Sequence, residues 1–250
     1  EISRGCPFTC AYCVETVIQD EYKFHDKTKL GVLKSASNYI RMKSIEHVLT
    51  ELTILSLEHD IRFLRFQDTN FLSTDRDLLR KMIPFFKSHP QISSYIETRP
   101  ETINTSSVQI LMDLNVVGVG MGVEVSAEGF RSDNLDRFCP TSKIVEAFKL
   151  LRANRIRRTA YNIIGLPDQT EEDILSTIQL NAMIDPDDIT VAYYSPYVGT
   201  KMSKIAFDKG VYSASELYAD GQIDTTIDGL SGDVLRYYKS NFVDLVKGMI

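Results

Sequence analysis

The stretch TAYNIIGLPDQTEEDILSTIQLNAMIDPDDITVAYY (residues 159–194) holds two apolar runs separated by a helical pattern. The first run stops at Pro167, and Thr170 followed three residues later by Asp173 is typical of a helix start. The second run, residues 189–194, is again apolar and short enough for a strand. A strand, a helix and a strand in this order indicate a parallel β–α–β unit.

The same alternation extends towards the N terminus, so that strand and helix follow each other about five times in all. Further strands are predicted at residues 2–3, 61–66, 94–98 and 116–125. Helices are predicted between them, with Ser44 and Thr74 as the expected caps of two of these helices. The pattern predicts an α/β fold, a partial (β/α)6 TIM-like barrel over residues 1–200. We expect residues 201–250 to form a C-terminal extension that is mainly helical, with an amphipathic helix at 233–249.

The composition is that of a folded domain with a large core. Of the 250 residues, 43% are hydrophobic, 10% aromatic and 25% charged, which excludes a disordered chain. No apolar run approaches the ~18 residues of a membrane helix and no signal-peptide pattern is present, so we expect a cytoplasmic protein without a membrane span. The chain begins with Glu1 rather than Met, which indicates a piece of a longer protein.

The charge balance bears on the choice of partner. The net charge of −6 comes from 28 basic and 34 acidic residues. Proteins that bind nucleic acid usually carry a basic excess, because neutralised phosphates supply much of their affinity. We therefore expect no nucleic-acid partner.

Three of the four cysteines, Cys6, Cys10 and Cys13, form a C-x3-C-x2-C pattern, and Cys139 lies far from them. Three cysteines within eight residues cannot all pair with one another, so metal binding is favoured over a disulfide framework. Structural zinc needs four ligands, and His25 is a candidate for the fourth. An iron–sulfur cluster is the other interpretation, and three thiolates would leave one of its irons open. Spacing alone does not decide between these two metals.

Polar residues are expected at the C-terminal ends of the strands, which is where parallel barrels place their chemistry. The residues at those ends are Cys6, Asp68, Glu97, Arg99 and Glu124. Gly118, Gly120 and Gly122 alternate inside one predicted strand, whereas a dinucleotide-binding loop would place them between a strand and a helix. We expect these glycines to leave room inside the barrel.

Three segments carry a resemblance to a known family. Residues 3–13, SRGCPFTCAYC, resemble the cluster loop of the radical S-adenosylmethionine (radical SAM) superfamily, C-x3-C-x-aromatic-C, with Tyr12 as the aromatic residue. Residues 122–126, GVEVS, resemble the family's fourth-strand G-[VI]-E-S segment, and residues 162–167, NIIGLP, resemble its fifth-strand I-x-G-L-P segment. The three segments occur in the family's order and span roughly residues 1–200.

The resemblance implies an enzyme in which Cys6, Cys10 and Cys13 hold a [4Fe–4S] cluster. In that family the open iron binds SAM, and reductive cleavage of SAM gives a 5′-deoxyadenosyl radical that abstracts hydrogen from a substrate. The implied partners are a small-molecule substrate of unknown identity and an electron donor such as flavodoxin or ferredoxin.

The resemblance also assigns SAM-binding roles to particular residues, although it assigns no catalytic residue. Those implied SAM contacts are Tyr12 and Ile163 at the adenine, Asp68 at the ammonium, Glu97 and Glu124 at the ribose or ammonium, and Arg137 at the carboxylate. Four purely structural alternatives stay open, namely that Tyr12 is a core aromatic residue, that Asp68 caps a helix, that Glu97 pairs with Arg99 and that Arg137 is a surface arginine. The chain departs from the family at Asp168–Gln169, where a G-E pair is common.

Within the superfamily, the resemblance is greatest to the large group with an upstream cobalamin-binding domain. It therefore implies a methyltransferase or an oxidoreductase, with cobalamin as a further cofactor on a domain outside this chain. A coproporphyrinogen-oxidase-like or transfer-RNA-methylthiolating enzyme is the runner-up. From a different class, the alternative is a zinc-binding interaction module that uses the cysteine triplet and His25.

Overall fold

The structure is a computed structural model that describes residues 1–210 and 230–250. The strands in those residues are β1 (Ser3–Arg4), β2 (Arg41–Met42), β3 (Phe63–Arg65), β4 (Ser93–Thr98), β5 (Val116–Glu124), β6 (Arg157–Ile164) and β7 (Asp188–Tyr193). The helices are α1 (Glu15–Glu21), α2 (Ala36–Tyr39), α3 (Ile45–Glu58), α4 (Arg76–Ser88), α5 (Thr105–Asp113), α6 (Glu128–Asp133), α7 (Thr141–Ala153), α8 (Glu171–Ile184), α9 (Lys201–Asp208) and α10 (Gly232–Lys247). Part of the predicted extension at 201–250 lies outside the described residues, and its boundary at residue 200 stays a prediction.

The main sheet has five strands in the order β3-β4-β5-β6-β7, so strands that follow each other in the chain are neighbours in the sheet. β3 runs parallel to β4, and β4 runs parallel to β5, with helices on the connections. This is the α/β class of fold that the sequence predicted. β1 instead pairs antiparallel with β2 in a separate two-stranded sheet, with Ser3 opposite Met42. The predicted leading strand therefore exists, but its neighbour is β2.

The chain divides into two compact units that interleave along the sequence. The first comprises Glu1–Pro7, Ser35–Gly122 and Lys143–Thr159. In it α4 packs against α3 and α5, and Leu79, Met82 and Phe86 of α4 are buried. The ring centroid of Phe66, just after β3, lies 5.0 Å from that of Phe71 and 6.5 Å from that of Phe86. These apolar contacts belong to the core of this unit, next to the C-terminal end of β3.

The second unit comprises Phe8–Lys34, Val123–Ser142 and Ala160–Ile250. Here α10 packs against α8 and β7. Its apolar stripe of Leu235, Tyr238, Phe242 and Val246 is buried against residues that include Ile174 and Ile178 of α8. The amphipathic helix predicted at 233–249 is confirmed as α10.

Two of the three helix caps named above are confirmed. The Ser44 side chain accepts from the His47 amide, and Thr170 and Asp173 form a complete capping box on α8. The prediction for Thr74 is wrong, because Asp75 caps α4 by accepting from the Asp77 amide. Thr74 lies one residue too early, and its hydroxyl oxygen is 2.9 Å from that of Ser3.

Gly118 shows why β5 contains glycines. Tyr95 on β4 lies opposite Gly118 in the parallel register, and a Cβ atom at Gly118 would be only 2.7 Å from the Tyr95 ring. Only glycine fits at this position without moving the ring. Gly118 therefore makes way for the Tyr95 ring, and the room inside the barrel that we expect from the three glycines stays a prediction.

Candidate functional site

The cysteine triplet lies on the loop that follows β1. Cys6 and Cys10 are buried, Cys13 is half-buried, and none of the three forms a disulfide. The Cys13 amide donates to the Cys10 carbonyl at 3.1 Å, and the Cys13 carbonyl accepts from the amide and hydroxyl of Thr16 at the start of α1. Helix α1 therefore fixes the end of the loop that carries Cys10 and Cys13.

The surroundings of Cys13 disfavour its thiolate. Burial raises the pKa of the Cys13 thiol to about 11, while a hydrogen bond from the Glu15 backbone acts in the opposite direction. The neighbouring Cys10, Glu15 and Glu124 raise this pKa further. A bound metal cation offsets such a penalty, because coordinated thiols are deprotonated. The donor set is therefore chemically suited to a thiolate-bound metal centre.

His25 has its hydrogen bond with Asp20 of the same unit rather than with a cysteine. Its Nδ1 lies 3.1 Å from Asp20 Oδ1, and both side chains are exposed. In residues 1–210 and 230–250, no group of three or more His, Cys, Asp and Glu side chains stands preassembled around a metal position, and this holds for the three cysteines alone as well as for any set that includes His25. The zinc alternative that uses His25 therefore gains no support from these contacts.

Next to the triplet, Tyr12 is hydrogen-bonded to the end of β5. Its hydroxyl donates to Glu124 Oε1 at 3.0 Å, and Arg137 Nη1 lies 3.8 Å from the same oxygen. Glu124 and Arg137 are both buried, with 8% and 3% of their surface exposed. The structure thus brings together three of the residues predicted from the sequence in one network.

The backbone of Glu124 has an unusual conformation. Its φ of 64° lies in the left-handed region, which a residue with a side chain adopts at a cost of about 1 kcal/mol or more. The turn at the end of β5 therefore holds a buried carboxylate in a strained position. Such strain is concentrated at ligand-binding positions in proteins.

Sequence reasoning missed Arg131, the largest fully buried side chain among the described residues. Its guanidinium donates to the carbonyls of Val125, Ser126 and Cys139 and to the Thr141 hydroxyl. The bonds to Val125, Cys139 and Thr141 are 2.7, 3.0 and 2.7 Å long. No local pattern distinguishes this arginine from a surface residue, because its partners are mostly backbone carbonyls that only the folded loop collects.

Arg131 links the segment after Glu124 to the segment after Arg137. Val125 and Ser126 directly follow Glu124, and Cys139 lies two residues beyond Arg137. By holding both segments, the Arg131 guanidinium fixes the separation of the carboxylate and the second guanidinium. We therefore expect Arg131 to help position this network.

Ile163, near the end of β6, contributes to an apolar cluster with Tyr12. Both side chains are partly buried against a core whose buried members include Ala11, Val125 and Leu166. The placement is compatible with a shared apolar surface for a flat ring.

The turn after β6 depends on Gln169, where the sequence departs from the family's G-E pair. The Gln169 side-chain oxygen accepts from the Gly165 amide at 2.7 Å and from the Leu166 amide at 3.2 Å, and its amide donates to the Ile163 carbonyl. Gly165 has a φ of 79°. Although the chain lacks the family's G-E pair here, the side chain of Gln169 closes the turn.

Asp68 lies in the first unit, after β3, and binds the backbone of β1. Its Oδ1 accepts from the Ser3 amide at 2.6 Å and from the Ser3 hydroxyl at 2.7 Å, and both carboxylate oxygens lie 3.2 Å from the Ile2 amide. The alternative that Asp68 caps a helix is wrong, since these bonds go to a strand. The predicted contact of Asp68 with SAM stays a prediction.

Glu97 at the end of β4 has a partner on the neighbouring strand. It forms an ion pair with Arg65 on β3, at 2.5 Å, and its side chain is 38% exposed. Arg99, the partner considered from the sequence, is bound to Glu101. The Glu97–Arg99 pair and the role of Glu97 at SAM both stay predictions.

Comparison with known proteins supports the resemblance. The family model described as the radical SAM superfamily matches residues 1–180. The chain is 24% identical over 204 residues to an uncharacterized methyltransferase, PH0819, of Pyrococcus horikoshii, covering 82% of this chain and 40% of that protein. It is 23% identical over 217 residues to the anaerobic magnesium-protoporphyrin IX monomethyl ester cyclase of Rubrivivax gelatinosus, covering 83% of this chain and 36% of that enzyme.

A solved structure has the same fold. The radical SAM methyltransferase TsrM from Kitasatospora setae, with cobalamin and a [4Fe–4S] cluster bound, matches with a TM-score of 0.71 at 14% identity. The match covers all of this chain and 50% of that one, and the chain spans less than half the length of the two curated relatives. Among the residues that the structure describes, each helix is too short or too polar to span a membrane. Since the family model covers more than half of the sequence, the chain belongs to the radical SAM superfamily.

Proposed function

We propose that this chain is the part of a radical SAM enzyme that binds the [4Fe–4S] cluster and SAM. The Tyr12–Glu124–Arg137 network carries the proposal, because it joins the cysteine loop to a buried carboxylate and a buried guanidinium. SAM presents an ammonium, a carboxylate, a ribose and an adenine, and this network offers an acceptor, a cation and an aromatic ring.

The proposed cluster ligands are Cys6, Cys10 and Cys13. Coordination to the iron of a cluster would stabilise the Cys13 thiolate that burial now disfavours, and three ligands would leave one iron open. When bound together, the cluster and SAM supply reductive cleavage of a C–S bond, which gives a 5′-deoxyadenosyl radical able to abstract hydrogen.

The protein's own residues would orient SAM. Glu124 would accept from the ribose hydroxyls or the ammonium, and Arg137 would bind the carboxylate. Tyr12 and Ile163 would provide apolar surface for the adenine, which their shared cluster supports. Asp68 and Glu97 are proposed as weaker contacts, because each already has a partner in the protein.

As the reaction class we propose cobalamin-dependent methylation of a small molecule, with the cobalamin held outside this chain. The support comes from TsrM, a methyltransferase with bound cobalamin, and from the methyltransferase of Pyrococcus horikoshii. The whole enzyme would need a reductant such as flavodoxin or ferredoxin. Reduced thiols, SAM and such carriers point to the cytoplasm as its location.

The test is anaerobic reconstitution of the protein with iron and sulfide, followed by SAM and dithionite. We expect 5′-deoxyadenosine and methionine from the wild type and neither product from Cys10→Ala. Cys139→Ala is the matched control, since it also removes a buried thiol and should retain both products. A wild-type protein that binds stoichiometric zinc and forms no cluster would refute the proposal and favour the zinc module.

The reaction class has its own test in the full-length protein. We expect that protein to bind hydroxocobalamin, seen by its visible absorbance, and to transfer a methyl group from methyl-labelled SAM. A full-length protein that cleaves SAM but binds no cobalamin would remove cobalamin-dependent methylation and leave the SAM-cleaving function intact.

A further inference from the structure

A short hairpin follows α1 and lies against the cysteine loop. In it the Thr28 amide donates to the Val32 carbonyl at 2.8 Å, and Lys27 is bridged to Leu33. The Gly31 amide donates back to the Thr28 carbonyl, and Gly31 has a φ of 63°. We call residues 23–34 the basic hairpin. Its turn is closed by backbone hydrogen bonds, so the side chains at its tip are presented from a fixed frame.

The basic hairpin has a net positive charge, whereas the chain as a whole is acidic. Its 12 residues contain four lysines, Lys23, Lys27, Lys29 and Lys34, and one acidic residue, Asp26. Asp26 is bonded to Lys34 at 2.8 Å, which leaves Lys23, Lys27 and Lys29 as exposed cations outside that pair. The exposed acidic residues Asp20 and Glu21 lie just before Tyr22, and Asp20 is bonded to His25, so the positive charge is confined to the hairpin itself. The chain as a whole has a net charge of −6. A positive patch of this kind on an acidic protein attracts acidic partners and steers their approach.

Apolar side chains lie among these cations. Leu30 at the tip is 66% exposed and Tyr22, just before the hairpin, is 56% exposed. Exposed apolar groups surrounded by charged residues are the usual composition of a transient protein interface. The surface is therefore suited to a protein partner more than to a small anion.

The tip is joined directly to the cysteine loop. The Thr9 amide donates to the Gly31 carbonyl at 2.9 Å, and Phe8 is bridged to Val32. Thr9 precedes Cys10 in the sequence, so one hydrogen bond and one peptide link separate the tip from a proposed cluster ligand. Gly31 also packs closely, because a Cβ atom there would lie 2.9 Å from the Asp136 carbonyl oxygen.

We propose that the basic hairpin is the docking surface for an acidic one-electron carrier protein, an inference that rests on the proposed function. In the step it serves, the reduced carrier loses one electron and the oxidised cluster gains it, with no transfer of a proton or a group. Lysines around an exposed leucine would hold the carrier at the side of the chain where its electron has a short bonded route to Cys10.

The test compares two triple variants with equal changes of net charge. Lys23→Glu/Lys27→Glu/Lys29→Glu reverses the hairpin, and the matched control reverses three exposed lysines elsewhere, Lys81→Glu/Lys149→Glu/Lys247→Glu. A set of Lys→Gln changes at the hairpin positions provides a milder variant should the reversed one fold poorly. The probe is a plant-type ferredoxin, chosen as an acidic carrier.

Two readouts are used. Calorimetry at low salt measures binding of oxidised ferredoxin to the reconstituted protein, and stopped-flow absorbance measures reduction of the cluster by reduced ferredoxin. We expect the hairpin reversal to weaken binding and slow reduction by about tenfold or more, and the Lys→Gln set to have a smaller effect. We expect the control reversal to stay near the wild type, and high salt to remove the differences.

Dithionite separates the two hypotheses, because this small reductant needs no docking surface. If dithionite supports SAM cleavage while hairpin and control variants bind and accept electrons from ferredoxin equally, the docking proposal is wrong and the proposed function stands. If dithionite supports no SAM cleavage in the wild type, the proposed function fails first. A hairpin reversal that abolishes self-association of this chain, and leaves ferredoxin binding unchanged, assigns the surface to a second copy and overturns the proposal.

Discussion

At the scale of single residues, Glu124 is the clearest point where structure indicates function. A left-handed backbone, a buried carboxylate, a tyrosine hydroxyl and a nearby guanidinium meet at one strand end. None of these features is needed to continue the sheet. Six other described residues with side chains also have a positive φ, so the buried carboxylate and its two partners, more than the backbone strain, distinguish Glu124 as a proposed ligand contact.

We predict that Glu124→Gln weakens SAM binding by about tenfold to a hundredfold, because a charge-assisted hydrogen bond contributes roughly 1.5–3 kcal/mol. The amide can still accept from Tyr12, so the network and the cluster content should survive. Titration of the reconstituted variant with SAM measures the loss. Tyr12→Phe, which keeps the carboxylate, should have the smaller effect, and wild-type affinity in Glu124→Gln would exclude this residue from the site.

Asp68 has a different part at the residue scale, since its bonds go to the backbone that leads into the cysteine loop. We predict that Asp68→Ala lowers the free energy of unfolding by about 1–3 kcal/mol, because the amides of Ile2 and Ser3 lose their acceptor. Chemical denaturation of the apoprotein measures this. The exposed Asp60, changed to Ala, serves as control and should shift stability by less than about 0.5 kcal/mol. Unchanged stability with reduced SAM affinity would instead assign Asp68 to the ligand.

At the scale of elements, the segment between β5 and α7 is organised by Arg131. Its guanidinium collects carbonyls from both ends of that segment. We therefore expect the spacing of Glu124 and Arg137 to depend in part on Arg131, which is not itself one of the groups proposed to bind SAM.

We predict that Arg131→Met reduces SAM affinity at least tenfold and lowers the free energy of unfolding by roughly 2–4 kcal/mol, because buried carbonyls lose their donors. Arg131→Lys should recover part of the affinity, as a single ammonium can still donate to one or two of the carbonyls. SAM titration and denaturation are measured side by side, with the exposed Arg236→Met as control. If Arg131→Met lost stability but kept full SAM affinity, the positioning role would be wrong.

The elements also show how far the sequence could predict the structure. Strong local signals were enough to predict α8, whose capping box is formed by Thr170 and Asp173. They were also enough to predict α10, whose apolar stripe repeats at helical spacing. The pairing of β1 with β2 was not predictable, because its register joins residues about forty positions apart and is supported by Asp68 from a third segment. Thr74 was mistaken for a cap because Thr74 and Asp75 are both good caps and adjacent.

The site residues that could be predicted also lie in short sequence motifs. Those that could not be predicted have partners that only the folded chain brings together. Cys6, Cys10, Cys13 and Tyr12 share one short motif, and Glu124 ends a recognisable strand segment. Arg131, by contrast, has partners that are carbonyls and a hydroxyl brought together by tertiary structure, so no residue type at a fixed spacing reveals it. For Glu97, proximity in sequence suggested Arg99 as an alternative partner. Neighbours in a sheet come from adjacent strands, and the structure pairs Glu97 with Arg65 on β3.

At the scale of the whole molecule, the chain supplies a fold and a proposed ligand site, and it spans less than half of the curated relatives it matches. The family is shown by the match over residues 1–180. The product of the whole enzyme depends on the substrate that it binds. We propose that SAM binds beside a cluster held by three cysteines before that substrate chemistry, and the residues proposed to bind SAM and the cluster lie within this chain.

The central claim is that three thiolates hold a [4Fe–4S] cluster with one iron open to SAM, and double-resonance spectroscopy of the reduced cluster tests it most directly. With SAM labelled by 15N in its amino group and 13C in its carboxylate, we predict couplings of both nuclei to the cluster in the wild type and in Cys139→Ala, and no cluster signal in Cys10→Ala. A reconstituted wild type whose cluster shows neither coupling in the presence of bound SAM would contradict this claim.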